Sequence, residues 1–80
     1  MPCLTKIQGI KMCVYSNDHL PPHIHALFGE YEILIDIREV SVIKGDMPNN
    51  KRHVALDYVN INQGDLLEAF YELNPHIAPL

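Results

Sequence analysis

Between residues 10 and 15 the chain alternates Ile10, Met12 and Val14 with Lys11, Cys13 and Tyr15, the period-two pattern of a half-buried strand. Two further runs, HIHALF and YEILIDI, are separated only by Gly29 and Glu30. Glycine at the first central position of a two-residue loop suits a type II′ hairpin turn. The segment NDHLPP interrupts the strands, because proline fixes its own φ and restricts the residue before it. After a short turn near residues 38–41, VIKG is a weaker candidate strand.

The period then lengthens. In MPNNKRHVALDYVNI, the positions Val54, Ala55, Tyr58 and Val59 fall on one helical stripe, with Pro48 where a first-turn proline is tolerated. Asn62 suits the N-cap of a second helix whose first turn holds Asp65. Leu66, Leu67, Phe70 and Tyr71 or Leu73 give that helix its apolar face, and Asn74 with Pro75 stops it. The order predicts one α+β domain over residues 1–80. Its antiparallel sheet has three to four strands, followed by two C-terminal helices packed on one face.

The Gly29–Glu30 turn predicts a register. Phe28 faces Tyr31, and the pairs run outward through Ala26–Ile33, His25–Leu34 and Ile24–Ile35 to His23–Asp36. Opposed residues share a face. One face therefore carries Ile24, Ala26, Phe28, Tyr31, Ile33, Ile35 and Ile37, and is the expected core. The other carries His23, His25, Leu27, Glu32, Leu34 and Asp36 and is expected to be uncovered. If Ile10, Met12 and Val14 turn to the core, Lys11, Cys13 and Tyr15 join the histidine face. A slip of one residue would bury both histidines and expose four isoleucines, so the register is strongly specified.

Charge narrows the function. Ten acidic against six basic residues give a net charge of −4, whereas general nucleic-acid binders carry a basic face. No apolar run is long enough to cross a bilayer, and the N-terminal segment lacks a signal-peptide core, so the chain reads as cytoplasmic with no membrane partner. Cys3 and Cys13 are then expected as reduced thiols, at a spacing that matches no close-spaced metal motif.

Three of the five histidines, His19, His23 and His25, crowd into seven residues beside Asp18, with Asp36 and Glu32 on the same expected face and Lys11 and Tyr15 nearby. Two imidazoles at i and i+2 on a strand lie about 6.5–7 Å apart at Cα. They could grip a divalent metal ion, His23 and His25 as ligands and a carboxylate or His19 as third. A histidine oriented by Asp36 could instead serve as a general acid–base, and a cationic cluster could hold a phosphate-containing ligand. The plain alternative is that His23 hydrogen-bonds Asp36 and the prolines shape a loop. The basic run Lys51-Arg52-His53 reads as a solvated helix end, poorly matched to the helix dipole.

The string NDHLPPHIH at residues 17–25, the following GEYEILIDI and the closing IAPL resemble the small bacterial domain-of-unknown-function family 4160. The resemblance marks Asn17, Asp18, His19, Pro21, Pro22, His23 and His25 as characteristic positions and implies no established activity. The family usually has glycine where this chain has Val40. Its genes often neighbour another small domain, an arrangement resembling a toxin–antitoxin cassette. This implies a small protein partner encoded by the neighbouring gene. The two function classes left open are such a cassette component with a histidine site for a metal or phosphate-containing ligand, and a non-catalytic protein-interaction module whose histidines are structural.

Overall fold

A computed structural model describes residues 3–78. Pro79 and Leu80, which end the IAPL string, lie outside the described residues. Five strands come first: β1 (Cys3–Ile7), β2 (Ile10–Cys13), β3 (His23–Phe28), β4 (Tyr31–Asp36) and β5 (Ser41–Asp46). Helices α1 (Asn49–Ile61) and α2 (Gln63–Leu73) follow, then a 3-10 turn at Pro75–Ile77. The fold is α+β, a five-stranded antiparallel sheet in the order β1-β2-β3-β4-β5. No helix among the described residues is long and apolar enough to cross a membrane.

The expected register is observed pair for pair, from Phe28↔Tyr31 to His23↔Asp36. Gly29 has φ +57° and Glu30 is not in the positive-φ region, as a type II′ turn requires. Ile10, Met12, Val14, Ile24, Ala26, Ile33, Ile35 and Ile37 are fully buried together with Ala55 and Val59 of α1 and Leu66 and Phe70 of α2. Both helices thus cover the isoleucine face. Phe28 and Tyr31, beside the turn of the hairpin, escape full cover; Lys51 lies over the Phe28 ring, 5.1 Å from its centroid.

Several expectations are corrected. The sheet has five strands rather than three to four, because the mixed segment CLTKI pairs with β2 as an edge strand, interrupted by a bulge between Cys3 and Thr5. That pairing sets Cys3 opposite Cys13, and the two are joined in a disulfide instead of remaining thiols. Asn62 does occupy the N-cap position of α2, but it makes no side-chain bond into that helix; its Nδ2 donates to the Tyr58 carbonyl at 2.9 Å and closes α1. The basic run is not simply solvated. Lys51 Nζ donates to the Gln8 carbonyl at 3.2 Å, and Arg52 donates to Asn49 Oδ1 at 2.8 Å.

The turn between β4 and β5 holds Val40 at φ +53°, where a β-branched residue is strained. Its N–H donates to the Asp36 carbonyl at 2.9 Å. Glycine at this position would adopt that conformation freely.

Candidate metal centre

The histidine face is not wholly open. His23 stands on the same side of β3 as His25, but at the end of the sheet its ring turns inward and is only 2% exposed. The Phe70 ring of α2 lies 5.7 Å away, centroid to centroid. The loop joining β2 to β3 covers the remaining side. Asn17, in the left-handed region at φ +57°, turns that loop so that Asp18 faces the two histidines.

Asp18 is the centre of the group. Its Oδ2 lies 3.0 Å from His23 Nε2 and 3.3 Å from His25 Nε2. Its Oδ1 accepts the N–H of His19 at 3.0 Å. Each inner histidine is oriented by a partner on its other nitrogen. His23 Nδ1 donates to the Pro21 carbonyl at 2.8 Å, and His25 Nδ1 to Glu32 Oε2 at 3.0 Å. An outer partner of this kind fixes the tautomer and ring orientation of metal-ligating histidines. In a neutral His23 the Nε2 lone pair then points at Asp18 Oδ2, whereas His25 Nε2 donates to that same oxygen at 3.3 Å. His23 Nε2 is buried and, despite its short distance to Asp18, has no partner in hydrogen-bonding geometry.

A cation between these atoms would resolve that arrangement. Donors bound at about 2.0 Å to a tetrahedral ion lie about 3.3 Å from one another. The three inner atoms of Asp18, His23 and His25 all lie within 4.8 Å of one another, so a small contraction would bring them onto one ion. Burial alone would raise the pKa of Asp18. The His19 N–H, the His25 hydrogen bond and the charges of His23 and His25 outweigh it, and the carboxyl titrates below its ordinary 3.8. Asp18 therefore faces the two imidazoles as a carboxylate.

The other candidates have different places. His19 is 85% exposed, with Nδ1 3.3 Å from Asp18 Oδ1. Tyr15 packs edge-on against His25, ring centroids 4.4 Å apart. Glu32 supports His25 from outside. Asp36 is opposite His23 in the ladder, yet its Oδ1 accepts the N–H groups of Arg38 and Glu39 at 2.9 and 3.0 Å and shapes the next turn. The expected His23–Asp36 bond is replaced by the contact with Asp18. Lys11 lies opposite Leu27 at the far end of β2, and no hydrogen bond or ion pair joins it to the histidines.

One residue that sequence reasoning missed fixes the loop. Asn74 is fully buried beyond the end of α2. Its Oδ1 accepts the Asp18 N–H at 2.7 Å, and its Nδ2 donates to the carbonyls of Tyr15 and Phe70, each at 2.9 Å. A side-chain amide next to a helix-ending proline reads as a stop signal, and nothing local reveals that it reaches back to residues 15–18.

A protein-family model, that of a domain of unknown function (DUF4160), matches residues 9–71 and so takes in the whole Asp18–His25 group. No curated protein and no solved structure matches.

Proposed function

The chain belongs to the DUF4160 family, and on that premise we propose that it binds one divalent transition-metal ion through Asp18, His23 and His25. The observation that carries this reading is the buried, unpartnered His23 Nε2 aimed at a carboxylate, with its other nitrogen already committed to a carbonyl. Mixed imidazole and carboxylate donors favour zinc-like ions over magnesium or calcium, which prefer all-oxygen sites. Two carboxylates at the cluster, Asp18 and Glu32, make a cation a better occupant than a bare phosphate. Bound there, the ion would supply a Lewis-acidic centre, while Asp18, His23 and His25 hold it and Glu32 and the Pro21 carbonyl orient the rings.

In the cell we place the protein as one component of a toxin–antitoxin-like cassette, its partner the small protein encoded next to it. The resemblance supports that role. The second reading, a docking module with structural histidines, is favoured by a different observation: the cluster also ties the loop to the core, through Asn74 and through His23 beside Phe70. Calorimetric titration of the full chain with Zn²⁺ separates them. One equivalent bound by the wild type, with proton release, and none by a folded His23→Ala/His25→Ala variant is the outcome expected for a metal site. Absence of binding by the wild type would leave the docking reading.

A further inference from the structure

A set of two imidazoles and one carboxylate leaves a tetrahedral ion one position short, and the geometry points to His19 as the side chain that fills it. This inference rests on the metal reading above. Four other groups near the cluster are already engaged. Glu32 is on the outer nitrogen of His25, Asp36 holds the β4–β5 turn, Tyr15 lies edge-on to His25, and the Pro21 carbonyl is taken by His23. His19 is different. Its ring centroid is 5.7 Å from that of His23, and its Nδ1 is 3.3 Å from the outer oxygen of the carboxylate whose inner oxygen faces the site.

The main chain of His19 is anchored while its ring is mostly exposed, touching Asp18 Oδ1 and the His23 ring. Its N–H donates to Asp18 Oδ1 at 3.0 Å, so the Cα stays beside the site. At 85% exposure little packing holds the ring, and rotation about its side-chain torsions carries a nitrogen from the outer oxygen of Asp18 towards the ion. The other two imidazoles are locked by Pro21 and Glu32. His19 thus acts as an arm that closes over an ion already seated on three fixed donors. The closed site has three nitrogens and one oxygen, a set suited to Zn²⁺ and Co²⁺ in tetrahedral geometry.

Cobalt reports this directly, because tetrahedral Co²⁺ absorbs visible light far more strongly than five- or six-coordinate Co²⁺. The full chain and its His19→Ala variant are titrated with Co²⁺ and then Zn²⁺, with circular dichroism to verify that the variant folds, as its exposure leads one to expect. The wild type should show the intense band. His19→Ala should lose the band and bind at least about tenfold more weakly, the lower end of what losing even an outer-sphere partner brings. Free imidazole should restore the band in the variant. If the variant binds with unchanged affinity and spectrum, His19 is not a ligand and the three-donor site stands without it. If the wild type binds neither ion, the metal reading itself fails and takes this inference with it.

Discussion

The N–H of Asp18 donates to Oδ1 of Asn74 across 2.7 Å, joining residues 56 positions apart. The same amide donates to the Tyr15 and Phe70 carbonyls, so one buried side chain fastens the loop to the end of α2. Asn74→Ala removes all three bonds and leaves one buried and two partly buried main-chain groups without this partner, a buried one costing about 1–3 kcal/mol. We expect a loss of about 3 kcal/mol in urea denaturation, with weaker metal binding. A loss no larger than that of a surface substitution such as Asn60→Ala would show that water replaces the amide.

The two faces of the hairpin should differ in their contribution to stability. Ile35 is fully buried among the core residues, and Ile35→Ala should cost about 2–5 kcal/mol. His25, whose side chain keeps 14% of its exposure, should cost clearly less on truncation to alanine. Equal losses in parallel denaturation curves would make His25 a structural residue.

Val40 occupies left-handed backbone without the glycine that such a turn favours. Relief of that strain should outweigh the lost packing of a half-buried valine, so Val40→Gly should stabilise the fold by about 1 kcal/mol. Val40→Ala keeps a Cβ at positive φ and should give no gain. Thermal melts of both variants test the sign.

Acid should weaken the cluster in a defined sense. The folded-state pKa of Asp18 is depressed below its ordinary 3.8, so its ionised form contributes stability that is complete above that value. The contribution is lost as pH falls through the lower folded value. The stability gap between wild type and Asp18→Asn should therefore be full at pH 5 and shrink on acidification below 3.8. A gap independent of pH would mean that the Asp18 charge contributes nothing to stability. Metal affinity should fall with acidification as well, because the ligands bind deprotonated.

The hairpin register was legible because the turn and the strands agree: a two-residue turn with Gly29 leaves one alignment that places Ile24, Ile33, Ile35 and Ile37 on one face and the histidines and acids on the other. Edge strand β1 was not, since an exposed, bulged strand has no reason to alternate cleanly, and with it the Cys3–Cys13 link was hidden. The cluster residues were visible as a crowd, but their roles were not. Asp36 is opposite His23 by ladder arithmetic, whereas Asp18 reaches His23 through the course of a loop, set by the left-handed Asn17 and by Asn74. Neither contact has a sequence period.

The meander also imposes an order of assembly during synthesis. Every strand pairs with its immediate neighbour in sequence, so each hairpin closes over a short span as it emerges from the ribosome. The histidines of β3 are side by side as soon as β4 joins. Asp18 gains its anchor only when residue 74 has been made and α2 has docked. A metal ion meeting the nascent chain before that moment finds two imidazoles and a swinging carboxylate, and only the finished fold offers it three fixed donors.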